Sequence, residues 1–332
     1  MTIQHAKSPC CQALIHHFGK RRRQCFVCKR TWRIRVKKRG RPSIRIFSPV
    51  LKHVLLDGCT LRHLVQRRSH LALPTFRYRF RQALRRFVAH PCPRAIPSGP
   101  LVLVADGLWF YFREKPWILY LTALKACSGK TAVFLDPVLL PGKEGITRWY
   151  HTVNQIPPGV RSRIRAIVVD NLPGMLPLAT RHHWLLQLCH FHLILKLQTQ
   201  RGRKKRALRG GRVREELYQL IRYALEAPAG SALQSALRRL RDIEQTSCGT
   251  ERIRAMIREF LHSTAYYRTY RTYPELNLPV TTNAAESMGS IIRNLLRRNR
   301  CASSPRALLL WATALIRMRP EVTCNGKHLQ PN

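Results

Sequence analysis

Two short apolar runs, Leu101-Val102-Leu103-Val104-Ala105 and Ile164-Arg165-Ala166-Ile167-Val168-Val169, each stop at an aspartate, Asp106 and Asp170. Brief runs rich in Val, Ile and Leu and bounded by a polar residue read as buried strands of an α/β sheet. In open sheets of that kind, functional groups gather at the carboxyl ends of the strands. Further strand-like runs lie at 117–124, 131–135 and 184–188, with helical patterns at 143–155 and, despite Pro173 and Pro177, at 173–181. From about 190 to 275 only helical spacing is seen: Leu217, Leu220, Ile221, Ala224 and Leu225, then Leu233, Ala236, Leu237 and Leu240, then Ile253, Ile257, Phe260 and Leu261. A last helical pattern runs from about 284 to 318. This order predicts an α/β sheet interrupted by an all-α segment.

The two aspartates stand out because acids are rare. Sixty Lys and Arg face sixteen Asp and Glu, a formal net charge of +44. So much like charge opposes compaction unless a polyanion neutralises it. Nucleic acid is the natural partner, since phosphate neutralisation with counterion release supplies sequence-independent affinity. An anionic membrane is the rival polyanion, but no apolar run reaches spanning length and no signal peptide opens the chain. The expectation is a cytoplasmic protein associated with DNA, not with membrane. An odd number of cysteines, 11, in a long chain points to reduced thiols and a metal site rather than a disulfide framework.

Two carboxylates brought together at strand ends repel each other unless a cation lies between them. A pair of hard divalent ions, Mg²⁺ or Mn²⁺, resolves the repulsion and aligns a phosphodiester for in-line attack. Either Asp taken singly reads equally well as a cap on the following turn. Glu286 follows Pro279-Val280-Thr281-Thr282-Asn283-Ala284-Ala285 at the start of a helix, where Thr282 or Asn283 can serve as N-cap. By spacing alone Glu286 is first a capping acid. The helix beyond it has an apolar face and an arginine face carrying Arg293, Arg297 and Arg298. Cys189 and His192 read blandly as a buried thiol and a core imidazole, because two ligands three residues apart do not close a zinc site.

At the amino terminus Cys25-Phe26-Val27-Cys28 is a CxxC knuckle followed by Lys29-Arg30-Thr31-Trp32, as in the second half of a zinc ribbon. Ser8 stands where the first ligand cysteine of such a ribbon is usual. Cys11, Cys25 and Cys28 are the candidate zinc ligands, with His5, His16 or His17 completing the set; adjacent Cys10 and Cys11 are not expected to share one ion easily. Residues 48–88 read as a helix-turn-helix: Leu51, Val54 and Leu55 on one face, a break at Asp57-Gly58-Cys59, a second helix through Leu61, Leu64 and Val65, and a recognition helix presenting Arg77, Arg79 and Arg81 to a major groove. A basic three-helix packing module is the plainer account.

Together, Asp106-Gly107, Asp170-Asn171, Cys189-His190-Phe191-His192 and Thr281-Thr282-Asn283-Ala284-Ala285-Glu286 with its arginine-rich helix resemble the DDE transposases of the Mutator-like superfamily and related bacterial insertion-sequence transposases. The resemblance covers about residues 101–318. It implies a ribonuclease-H-like core interrupted by an all-α insertion, with Asp106, Asp170 and Glu286 holding two Mg²⁺ or Mn²⁺ ions. It also places Cys189, His192 and Asn283 beside that triad as supporting residues. The organisation expected is a zinc-ribbon-like DNA-binding module at 1–42, a helix-turn-helix at 43–96, a first part of the core at 97–200, a helical insertion at 201–278 and a last part of the core at 279–332. The implied activity is binding of transposon terminal inverted repeats in double-stranded DNA, cleavage, and strand transfer into target DNA by a homodimer in the synaptic complex. A non-catalytic DNA-binding regulator descended from a transposase, and a ribonuclease-H-like nuclease that cuts without joining, are the alternatives. A regulator is free to lose the acids, whereas this chain keeps all three.

Overall fold

A computed structural model describes residues 7–18, 22–33, 47–68, 71–92, 94–201, 211–246, 250–301 and 303–324. Two units divide the chain, Met1–Pro49 and Val50–Asn332. The first holds an antiparallel sheet of β1 (Ile15–His17), β2 (Arg22–Cys25) and β3 (Thr31–Arg33) in that order. His5 and the basic run Arg35 to Arg41 fall outside the described residues.

Three helices follow: α1 (Phe47–Leu55), α2 (Leu61–Arg68) and α3 (Leu73–Ala89). Then the mixed sheet of the second unit begins. Its antiparallel half is β4 (Leu101–Phe112), β5 (Lys115–Ala126), β6 (Thr131–Phe134) and β7 (Val138–Pro141). Helices α4 (Ile146–Asn154) and α5 (Pro158–Arg161) cross over to β8 (Ile164–Val169), and α6 (Met175–Arg181) to β9 (Leu185–Leu188); both strands run parallel to β4. A helical stretch comes next: α7 (His190–Arg201), α8 (Gly211–Glu226), α9 (Ser231–Gln245), α10 (Glu251–Tyr267) and α11 (Thr269–Thr272). The chain closes with α12 (Asn283–Asn299), α13 (Pro305–Met318) and β10 (Glu321–Thr323). The strand order is β10-β6-β5-β4-β8-β9, with β7 paired to β5.

Side chains alternate across this sheet. One face carries Leu101, Leu103, Ala105, Ile167 and Val169 into a core shared with Trp149, Val153, Met175 and Leu178 of the crossover helices. The same core takes in Leu217, Ile221, Leu240, Ile257 and Phe260, so the helical stretch docks on this face rather than forming a core of its own. Its apolar spacing was legible; Leu220, Leu237 and Leu261 lie only at the margin of that core. The other face carries Val102, Val104 and Leu108 against α12, whose Ala285, Met288, Gly289 and Ile292 are buried. A Cβ at Gly289 would stand 2.7 Å from the Leu108 side chain, so the missing side chain lets α12 lie close on β4.

Three readings need correction. The first strand does not end at Asp106: β4 continues to Phe112, because every residue from Leu101 to Phe112 finds a partner in β5. The pattern from 284 to 318 is two helices, since Arg300 closes α12 in the left-handed region (φ 47°) and Ser304 caps α13. The recognition-helix segment extends to Ala89 as α3, whose Phe76, Phe80, Ala83 and Leu84 are buried; the Phe80 ring centroid lies 5.3 Å from that of Trp311 on α13. The strands β7 and β10 are too short to show a period.

Asn299 joins two parts of the fold: it is buried, and its Oδ1 accepts from the Leu61 N–H at the start of α2, 3.1 Å away. Asn299→Ala leaves that donor without its partner and costs roughly 1–3 kcal/mol, read as a lower urea midpoint at unchanged m-value; an unchanged midpoint would refute the cap.

Candidate active site and cysteine cluster

Register brings the sequence-predicted carboxylates together. The pairs Leu103–Ile167 and Val104–Val168 place β8 beside β4, and continuing them by two residues sets Asp170 beside Asp106. The pairs Val168–Gln187 and Val169–Leu188 likewise continue to Asp170 beside Cys189, whose N–H donates to Val169 O at 2.8 Å. Neighbours in register point to the same face, so Asp106, Asp170 and Cys189 form a row on the face that α12 covers. Each aspartate is fixed by the following residue: Gly107 N–H donates to Asp106 Oδ1 at 2.8 Å and Asn171 N–H to Asp170 Oδ1 at 2.7 Å. The Asn171 amide in turn donates to Glu259 on α10 at 2.8 Å.

From α12, Glu286 meets this row. His192, on the first turn of α7, has Nδ1 3.8 Å from both Asp170 Oδ1 and Glu286 Oε1. That nitrogen is buried and has no hydrogen-bond partner among the described residues. Thr282 donates its hydroxyl to Glu286 Oε1 at 2.9 Å and its N–H to Cys189 Sγ at 3.3 Å. Thr282 therefore stands at the N-cap position yet orients the carboxylate rather than accepting from the helix backbone. Asn283, the residue expected beside the triad, is exposed, and its N–H reaches Thr281 Oγ1 at 3.5 Å. Thr282 takes the supporting place because the first turn of α12 buries its alternate face.

A fourth carboxylate joins them. Glu144, on the turn before α4, accepts from Trp149 Nε1 at 3.0 Å, and a Cβ at Gly107 would lie 2.7 Å from its Oε1. Glu144 does not directly follow an apolar run as Asp106 and Asp170 do; its one signal is being an acid in an acid-poor chain.

The crowding is visible in the proton affinities. Burial pushes Asp106 up to about 7, against the pull of His192, with Glu286 and Glu144 adding to the rise. Glu286 and Glu144 are also raised, chiefly by burial. Burial alone would depress His192; the neighbouring Cys189 thiol and the charge of Asp170 outweigh it and lift the imidazole to about 9. That raised proton affinity favours the imidazolium form beside Asp170 and Glu286.

The arginines divide. Arg293 and Arg297 line a shallow concavity with Phe110, Leu296, Arg300 and Ser303. Arg298 turns elsewhere: a Cβ at Gly58 would lie 2.7 Å from its Nη1. Arg300, not singled out from the sequence, takes its place at the concavity. On α3, Arg77 and Arg81 are exposed and Arg79 is half-buried, on a helix whose apolar side is already covered.

In the amino-terminal unit the ligand atoms of Cys10, Cys11, Cys25 and Cys28 all lie within 4.8 Å of one another, so the four thiols could hold a metal ion such as zinc. Cys10 Sγ is 3.3 Å from Cys28 Sγ, which corrects the expectation that adjacent Cys10 and Cys11 do not converge. Gln12, next in the chain, takes a left-handed turn conformation (φ 51°). Ser8 is buried, and its Oγ accepts from the N–H groups of Cys11 and Ala13 at 3.3 and 3.1 Å and from the Cys25 thiol at 3.3 Å. That hydrogen bond, with the N–H of Cys28, draws Cys25 down to about 6, whereas the bond with Cys28 pushes Cys11 up to about 12. A bound cation would favour the thiolate forms.

The chain matches no described protein family and no curated protein.

Two outcomes follow from this geometry. Asp106 binds its proton more tightly folded than unfolded, so its contribution to stability is full below about pH 4 and lost as pH rises through about 7. Asp106→Asn should raise Tm in metal-free buffer at pH 8, by at most about 4 kcal/mol of stability, with the gain shrinking towards pH 5; a pH-independent gain would contradict the shift. Cys25→Ser with Cys28→Ser should abolish tight zinc binding by the amino-terminal unit, measured as one fewer zinc per chain by elemental analysis after exhaustive dialysis.

Proposed function

We propose that this chain is a DDE transposase: it binds DNA ends and carries out cleavage and strand transfer at Asp106, Asp170 and Glu286. The observation that carries this reading is the approach of Asp170 and Glu286 to His192 Nδ1, 3.8 Å from each, with Asp106 beside Asp170 in register, in a chain of net charge +44. An antiparallel run of strands followed by two parallel strands, with Asp106 and Asp170 level in register where β8 ends, is consistent with a ribonuclease-H-like core. No helix among the described residues is long and apolar enough to cross a membrane.

The three side chains supply carboxylate oxygens, the ligand type that hard divalent cations take. Asp106, Asp170 and Glu286 would hold Mg²⁺ or Mn²⁺ there, which when bound supplies Lewis acidity and a lowered proton affinity of the attacking oxygen. The chain's own residues do the rest. Thr282 and His192 fix the direction of Glu286. The cation His192 offsets repulsion as a phosphate approaches. Asn171, tied to Glu259 on α10, holds the turn that carries Asp170.

DNA placement follows from the same two elements. Phe110 lies four residues beyond Asp106 on β4, about 13 Å along the strand. Arg293 lies seven residues beyond Glu286 on α12, about 10 Å along the helix. Both converge on one concavity, so a strand with its scissile phosphate at the carboxylates has its next phosphates beside Arg293, Arg297 and Arg300. The exposed arginines Arg77 and Arg81 offer a second basic surface on α3.

The test is Mg²⁺- or Mn²⁺-dependent strand transfer on labelled DNA carrying the element's own ends. Asp106→Ala should lower joined product by about a hundredfold or more with DNA binding retained. Cleavage without joining would move the reading to a nuclease; tight binding with neither cleavage nor joining in the intact chain would move it to a non-catalytic regulator.

A further inference from the structure

The carboxylate row has a soft side. Cys189, His192 and Glu286 each offer one ligand atom, and the three atoms lie within 4.8 Å of one another. Cys189 and His192 alone, three residues apart on one helix start, make no metal site; Glu286 arrives from α12, 94 positions beyond His192 in the chain, as the third ligand. We propose that Cys189, His192 and Glu286 form a binding site for a borderline transition-metal cation such as Zn²⁺, distinct from the amino-terminal cysteine cluster and sharing Glu286 with the aspartate pair.

The surroundings of the three residues are those of a prepared site. Cys189 is 1% exposed, and its sulfur accepts the Thr282 N–H at 3.3 Å, the outer-shell bond that steadies a metal-bound thiolate. The same threonine directs Glu286 through its hydroxyl, 2.9 Å from Oε1. His192 Nδ1 is buried without a hydrogen-bond partner among the described residues and looks toward Glu286 and Asp170. Zinc bonds of about 2.0–2.3 Å put tetrahedral ligand atoms about 3.3–3.8 Å apart, so an inward movement of about 1 Å closes the set. Asp170, whose Oδ1 is 3.8 Å from His192 Nδ1, stands nearest the remaining position.

The ligand chemistry sorts the ions. Thiolate and imidazole favour Zn²⁺ or Co²⁺, whereas Mg²⁺ demands oxygen ligands in octahedral array. Asp106 and Asp170 supply oxygen only. One carboxylate, Glu286, belongs to both sets, so a transition metal on the soft side competes with a hard cation on the aspartates. That competition rests on the functional reading above; the binding itself does not.

Cobalt(II) titration of the full chain tests the site, because cobalt–thiolate bonds absorb in the near ultraviolet. The Cys25→Ser, Cys28→Ser chain removes the amino-terminal cluster. It should still bind one cobalt per chain with a thiolate band, and that band should disappear on adding Cys189→Ser. Should Cys189→Ser fail to fold by circular dichroism, His192→Asn takes its place, with a loss of affinity of about 10-fold or more expected. Zinc should displace the cobalt; Mg²⁺ in thousandfold excess should not. A folded Cys25→Ser, Cys28→Ser chain that shows no cobalt–thiolate band at saturating metal overturns the proposal, whether or not the intact chain joins DNA. So does a band that survives in folded Cys189→Ser.

Discussion

A difference in length between strands organises the second unit. β4 is hydrogen-bonded to β5 along all of Leu101 to Phe112, but its parallel partner β8 ends at Val169, level with Ala105. Beyond that level one edge of β4 is free of a strand, and Asp106 sits at the step. β8 and β9 end together, so the residues that follow them, Asp170 and Cys189, lie in the same row. The pleat then decides the face, because neighbours in register point the same way. Nothing in the site could assemble with the register shifted by one, since each of these side chains would move to the buried core on the other side.

Closing that face requires a helix that packs tightly and brings an acid. α12 meets both needs: Gly289 allows close approach to Leu108, and Glu286 lies one turn earlier near the step. The result is electrostatically unfavourable by itself. Asp106, Glu286 and Glu144 are all held above the ordinary carboxylate range by burial. A chain with only sixteen acids has gathered four of them, Asp170 included, where they repel one another. Charges arranged against folding stability in a partly open site are a mark of function. The cation His192 relieves part of the strain, and the surplus of arginine on α12 and α3 faces outward, where a polyanion can reach it.

The amino-terminal unit follows a different logic. Its three strands are short, and among the described residues only Ser8 and Cys25 are buried. A unit with so little apolar core needs another source of cohesion. The four clustered thiols can provide it through a bound ion. Ser8, in the place of a ligand, orders the turn through its two accepted N–H bonds and keeps Cys25 ready to ionise.

What could be read from the chain alone was what repeats locally or contrasts with its background. Apolar runs revealed β4, β8 and β9, helical spacing revealed α8, α9 and α10, and the scarcity of acids singled out Asp106 and Asp170. The CxxC knuckle marked Cys25 and Cys28 in the same way. Contacts that cross the sheet needed the tertiary structure. Glu144 follows no strand and reaches Asp106 only because Gly107 leaves room. Thr282, rather than Asn283, supports Glu286 because the helix turns that side inward, and Arg300 replaces Arg298 because the left-handed residue at the end of α12 redirects the chain. Cys10 and Cys11 meet Cys25 and Cys28 across a fold that the spacing of adjacent cysteines did not foretell. Periodicity reports which face of an element is buried; which buried or exposed groups then meet depends on register and packing between segments far apart in sequence, and no local pattern carries that information.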